Sequence, residues 1–243
     1  MYYEWEWPAQ GVYRCRLPFL DVTVGLVQGR DKVVLIDCGT TLLEAAQLSS
    51  DIADITGAAV THIVMTHHHF DHILGAPGFP AALSYAPPAV ARALTTGIGE
   101  VRAHALQYGA DVGELDRAIA AARPPDHIIT EADLDLGDRT IHVEHPGRGH
   151  TDHDLVVVVA PVGAQEPTVV FCGDLVEESA DPAINAESDA RAWLGTLDRV
   201  LALGGPDAVY IPGHGAAVDA TFVQRQRDWL AARAIPARPG PTD

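Results

Sequence analysis

The sequence predicts an α/β fold in which two β-sheets pack together with helices on the outside. Three observations predict it. Strand-like and helix-like stretches are mixed along the whole chain. The strands fall into an early and a late group, separated by a helical stretch at residues 96–126. The candidate metal-binding side chains lie in these segments where apolar strands give way to turns. Taken alone, the pattern also admits an ordinary three-layer α/β fold.

The elements follow in order. Residues 12–17, 22–28 and 32–36 read as strands, and Gly29-Arg30-Asp31 joins the last two as a hairpin. Asp37-Cys38-Gly39-Thr40 ends the third. Residues 41–56 read as a helix capped by Thr40 or Thr41. Residues 61–65, rich in β-branched side chains, read as a short buried strand. Ile73-Leu74-Gly75 opens a helix. Residues 83–85 form a strand, and Pro87 and Pro88 start another helix, since proline suits a first turn. Gly97, Gly99, Gly109 and Gly113 interrupt the helical pattern of 96–126, which Pro124-Pro125 closes. Strands follow at 128–129, 134–136, 140–144, 155–160 and 168–172. An amphipathic helix at 189–203, an inner strand at 208–211 and a helix at 218–234 complete the pattern. We expect one domain over residues 1–235 with a helical insertion at about 96–126, and a flexible, proline-rich tail at 236–243.

Composition narrows the function classes. The chain has 243 residues, is 47% hydrophobic and 20% charged, and so has material for a sizeable core. A formal net charge of -17 repels phosphate backbones and anionic lipid, so neither nucleic acid nor a membrane is an expected partner. The apolar run at 155–162 is too short to span a bilayer. Residues 1–8 carry no basic start and no apolar stretch, so no secretion signal is expected. Cys15, Cys38 and Cys172 sit in apolar or strand-like settings, as reduced thiols of a cytoplasmic protein would.

The most informative stretch is Thr66-His67-His68-His69-Phe70-Asp71-His72, between a strand and a helix. Imidazole and carboxylate groups suit zinc and metals of similar softness. Crowded this closely, they repel one another when charged alone, and a bound dication removes that cost. Further along, Gly149-His150-Thr151, Phe171-Cys172-Gly173-Asp174 and Ile211-Pro212-Gly213-His214-Gly215 each place one ligand-type side chain beyond or at the end of a strand. Each is weak alone, but strand ends in one sheet sandwich lie along one edge. His62, His68, His104, His127, His142, His145 and His153 read as structural or surface residues, His68 because side chains of an extended segment alternate in direction. His153 and Asp154 also stand close enough to His150 to support it.

The spacing His67-x-His69-x-Asp71-His72, with the three later motifs in order, resembles the metallo-β-lactamase superfamily over residues 12–215. The resemblance implies an αββα sandwich with metals at one edge. By it, His67, His69 and His150 bind one metal, Asp71, His72 and His214 bind a second, and Asp174 bridges them. The ions implied are two divalent cations, with zinc first and iron or manganese as other candidates. Asp37 matches a further position, as an acid fixing a ligand histidine's tautomer; a plain strand-end turn residue is the other reading of Asp37. The implied activity is hydrolysis of an ester, thioester, lactone or amide of a small molecule by a hydroxide shared between the metals, with Asp71 and Asp174 in the catalytic centre.

The branch is less marked. β-Lactamases of this superfamily lack the aspartate that Asp174 supplies, although His150-x-x-x-Asp154 is reminiscent of them. The glyoxalase II branch shares the ligand set but has a longer C-terminal domain than residues 215–243 offer. Acyl-homoserine lactonases typically carry tyrosine where Glu177 stands. A mononuclear iron oxidoreductase similar to persulfide dioxygenases is the alternative from another class, and it would leave Asp71, His72 and His214 idle. Residues 96–126 and 177–188 are expected to roof the pocket, with Arg102, Arg117 and Arg123 available to hold an anionic substrate. The sequence carries no signal of oligomeric state.

Overall fold

The computed structural model describes residues 1–234. The expected tail at 236–243 lies outside the described residues. β1 (Trp5–Ala9), β2 (Val12–Arg16), β3 (Thr23–Gln28) and β4 (Val33–Ile36) pair antiparallel. β5 (His62–Val64), β6 (Leu83–Ala86) and β7 (His127–Ile128) then add in parallel, making a seven-stranded sheet in sequence order. β8 (Glu131–Asp135), β9 (Thr140–Glu144), β10 (Val156–Val159), β11 (Val169–Glu177) and β12 (Val209–His214) form a five-stranded sheet in the order β12-β11-β10-β9-β8. The helices are α1 (Leu42–Thr56), α2 (Phe70–Ile73), α3 (Pro88–Ala93), α4 (Ile98–Gln107), α5 (Val112–Ala121), α6 (Ala190–Gly204) and α7 (Ala220–Ala234).

Three apolar interfaces separate four layers. Leu48 and Ile52 of α1, Val90 of α3, Val101 of α4 and Leu115 of α5 pack on Leu26, Leu35 and Ile63, one face of the first sheet. Its other face offers Val27, Val34, Ile36 and Val64 to Ile141, Val143, Val157, Phe171 and Ile211 of the second sheet. The far side of the second sheet packs Val156, Val170 and Tyr210 against Trp193 and Leu197 of α6 and Val223 and Leu230 of α7. This is the αββα sandwich, and it rules out the three-layer alternative. The second sheet is covered on both faces, which is why residues 155–159 read as apolar throughout instead of alternating, while residues 160–162 continue the run on the exposed turn beyond β10. Close approach of the sheets requires Gly25, where a Cβ would enter the ring of Phe171.

Local chemistry sets the boundaries. Thr41 caps α1 by accepting from the Glu44 N–H, while the Glu44 carboxylate returns a bond to the Thr41 N–H, and Gly57 ends the helix in the left-handed conformation. Asp189 caps α6. Three expectations need correction. β1 was not expected; Pro8 interrupts its pattern, yet an edge strand with shifted register accommodates it. The helix after the histidine stretch begins at Phe70, inside the ligand pattern. β11 continues past Cys172 to Glu177, with an irregularity at Gly173, so Asp174 lies within a strand and not beyond its end.

Residues 96–126 form α4, α5 and the turns around them, and Val101, Ala105, Leu115 and Ala118 join the outer core. Cys15, Cys38 and Cys172 are buried and free. Among the described residues, no helix is long and apolar enough to cross a membrane.

Candidate metal centre

The expected site residues converge at the edge where both sheets meet. The turn after β5 carries His67 and His69, and α2 carries Asp71 and His72. The long turn between β9 and β10 carries His150, while Asp174 and His214 come from the neighbouring parallel strands β11 and β12. One group comprises His67, His69, His150 and Asp174, and another comprises Asp71, His72 and His214; within each, the donor atoms lie within 4.8 Å of one another. His69 Nδ1 is 3.0 Å from His150 Nε2, and His72 Nε2 is 3.4 Å from His214 Nε2. Asp174 touches both groups. Its Oδ2 lies 3.6 Å from His67 Nε2, 3.4 Å from His150 Nε2 and 3.5 Å from His214 Nε2, and its Oδ1 lies 3.2 Å from His72 Nε2.

Access for that carboxylate depends on Gly213. A Cβ there would collide with Asp174 Oδ1 and with the Gly173 backbone. The outer nitrogens of His72 and His214 are held as metal ligands need them. His72 Nδ1 donates to Asp37 Oδ2 at 2.8 Å. Asp37 also accepts from Thr66 N at 2.8 Å and Thr66 Oγ1 at 2.9 Å. It sits at φ 58, a left-handed conformation that aspartate tolerates better than bulky residues. His214 Nδ1 donates to the Leu20 carbonyl at 2.8 Å. Asp154, beyond His150, accepts from Thr151 N and Oγ1 and so staples that turn.

Charge is unevenly shared. Burial holds the His67 imidazole well below its usual range, and nearby His72 adds to this. Burial likewise takes His150 down to about 4. Burial opposes the proton on His72 and His214 too. There, however, Asp174 and Asp71 outweigh it, lifting His72 well up and His214 to about 10. Asp174 itself is held well below the carboxylate range by His214, His72, His67 and His150, despite its burial. His67 Nε2 and Asp174 Oδ1 are buried at the centre without a hydrogen-bond partner. Leaving such atoms unpaired costs about 1–3 kcal/mol each. A divalent cation satisfies both, so the residues fit metal ions.

A family model for the metallo-beta-lactamase superfamily matches residues 17–214. The chain belongs to this superfamily. A curated relative, metallo-beta-lactamase type 2 of Bacillus cereus, is 23% identical over 209 residues, covering 85% of this chain and 72% of the relative. The metallo-beta-lactamase FIM-1 of Pseudomonas aeruginosa, solved in a mono-zinc form, superposes with a TM-score of 0.72 at 20% identity, covering 96% of this chain and 97% of that one. A metallo-beta-lactamase of Hirschia baltica gives 0.70 at 14% identity, covering 94% and 97%. At these identities the superpositions establish the metallo-beta-lactamase fold.

Beside the centre lies a cavity of about 830 Å³. Thr96, Gly97, Glu100, Val101 and His104 of the helical excursion line it, as do Asn185, Ala186 and Glu187 of the loop after β11. The arginines expected there are placed differently. Arg102 pairs with Asp116 and Arg117 with Glu114 on the surface, while Arg92 and Arg148 line the cavity. His68, His104 and His153, read as structural or surface residues, also line it. Glu187, which the sequence did not single out, lies 3.5 Å from His69 Nε2.

Proposed function

We propose that this chain is a dinuclear metal-dependent hydrolase that cleaves the carbonyl bond of a small ester, thioester, lactone or amide. The single observation that carries the reading is the position of Asp174, one carboxylate within reach of both donor groups. His67, His69 and His150 would hold one ion, Asp71, His72 and His214 the other, and Asp174 would span them. Bound ions supply an acidified water and a Lewis acid for the substrate carbonyl. Zinc suits the nitrogen-rich donors best, with iron and manganese as rivals.

The chain's own residues do the rest. Asp37 keeps the His72 proton on Nδ1, so that Nε2 faces the centre. The Leu20 carbonyl does the same for His214. Phe70, Ala89, Ala93 and Val101 give the cavity an apolar wall, and Arg92 and Arg148 offer cations to an anionic group of the substrate. A second reading is β-lactam hydrolysis, favoured by the named relatives and consistent with an amide substrate.

The test is elemental analysis of protein purified without chelator, followed by a screen of chromogenic esters, thioesters, lactones and cephalosporins. Close to two metals per chain and metal-dependent turnover of one class are expected. A firm single metal, unchanged by added zinc, would overturn the dinuclear reading. Turnover of cephalosporins alone would select the second.

A further inference from the structure

A separate pair of imidazoles meets in the cavity wall. His68 Nδ1 and His153 Nε2 lie 3.0 Å apart, with ring centres 4.8 Å apart. Each ring is backed by a carboxylate at its other nitrogen. Asp152 Oδ1 lies 2.8 Å from His153 Nδ1, and Glu187 Oε2 lies 3.4 Å from His68 Nε2. A carboxylate at the outer nitrogen draws the ring proton to that side. The two inner nitrogens then present lone pairs to each other. With one proton drawn inward, the 3.0 Å contact is an N–H···N hydrogen bond between the two rings; with both drawn outward, the paired lone pairs are free for a cation between them. The same close pairing of imidazole nitrogens marks the candidate metal centre, at 3.0 Å for His69 and His150 and 3.4 Å for His72 and His214.

We propose that His68 Nδ1 and His153 Nε2 form an auxiliary site for a transition-metal ion of the Zn2+ or Cu2+ type, distinct from the centre around Asp174. Imidazole is the donor these ions prefer. The two histidines lie in successive ligand-bearing turns, one beside His67 and His69 and the other just past His150, so the same sheet edge that gathers the main centre also brings them together. The carboxylates of Asp152 and Glu187 orient the rings and offset the added charge. Both histidines face the cavity, so further coordination positions stay open to water or substrate. With only two protein donors, the site binds less tightly than the main centre and fills at excess metal. An ion there stands in the substrate cavity, and excess metal competes with substrate.

One rival arrangement exists. Glu187 Oε2 lies 3.4 Å from His68 Nε2 and 3.5 Å from His69 Nε2, and these three groups could hold an ion on the opposite side of the His68 ring. Substitution separates the two. The experiment titrates metal-loaded protein with Zn2+ against a chromophoric chelator, comparing wild type, His153→Gln and Glu187→Gln. Wild type is expected to take up one weaker equivalent beyond its tightly held metal. His153→Gln should weaken that equivalent at least tenfold. Glu187→Gln should keep it, because Glu187 lies beside the outer nitrogen of His68, away from the two donor atoms. His68→Gln serves as a second variant if His153→Gln does not fold. Equal uptake by wild type and the histidine variants would overturn the proposal, as would loss in Glu187→Gln with retention in His153→Gln. Fewer than two tightly held metals would instead count against the dinuclear reading, and the difference between wild type and His153→Gln would still decide this site.

Discussion

Replacing Asp37 with asparagine tests how the fold prepares one half of the centre. The side chains are nearly isosteric, and asparagine tolerates the φ of 58 found there. Thr66 N donates to Oδ1, so the new amide keeps its oxygen at that position. Its NH2 then replaces Oδ2, which accepts from His72 Nδ1 and from Thr66 Oγ1. The threonine hydroxyl can rotate and accept instead. His72 cannot keep its proton at Nδ1 facing an N–H, so the proton moves to Nε2, the atom aimed at the centre. Loss of such a supporting carboxylate typically costs 10–100-fold in metal affinity, or about 1.4–2.7 kcal/mol at about 1.4 kcal/mol per factor of ten. Stepwise zinc constants from competition with a chromophoric chelator provide the assay. The ion expected at Asp71, His72 and His214 should weaken by that factor, while the ion at His67, His69 and His150 keeps its constant. Two constants within about twofold of wild type would refute the reasoning.

Asp174→Ala should lower content of both metals and cut hydrolysis by several orders of magnitude while circular dichroism stays native; full metal content with unchanged turnover would show that the assignment is wrong. Gly213→Ala pushes a methyl into Asp174 and the Gly173 backbone, a clash of about 1–3 kcal/mol. It should lower both the melting temperature in chelator and the metal content, and a wild-type melt with full metal would count against the close approach. His142 donates to Asp133, which raises its pKa against the opposing effect of burial, with Glu144 adding to the rise. That bond therefore stabilises the fold fully below about 6.5, the usual histidine value, and the contribution is lost as pH rises through the raised folded value. Urea midpoints of wild type and His142→Gln should converge between pH 6 and 9, and a gap independent of pH would contradict this.

The candidate ligand set was legible because its spacing is compact and its later members follow apolar strands. His67, His69, Asp71 and His72 announce themselves within one turn, and His150, Asp174 and His214 become readable once that turn is recognised. The cavity was less legible. Arg92 and Arg148 enter it from opposite sides in sequence, through a tertiary arrangement that no local pattern records. Arg102 and Arg117 looked available only because their partners, Asp116 and Glu114, cannot be assigned before the helices are placed. His68 was expected to face away from His67 and His69. The chain enters a turn there instead of staying extended, and the ring swings toward His153. The end of β11 was misjudged because Gly173 resembles a stop, whereas Gly213 on the adjacent strand leaves room for pairing to continue.

The order of strands carries one more consequence. Every strand of the seven-stranded sheet precedes every strand of the five-stranded one, so each sheet is written by an uninterrupted half of the polypeptide. The first half owns His67, His69, Asp71 and His72, and the second owns His150, Asp174 and His214. Neither half alone holds a whole donor group. A backbone cut between β7 and β8, near Ile129 and Thr130, would leave two fragments that each keep a sheet with its own helices but divide both candidate donor groups between them. The apolar faces of the two sheets would draw the fragments together, and a metal held by donors from both would tighten that union, which makes this chain a starting point for a split sensor whose assembly the ion strengthens.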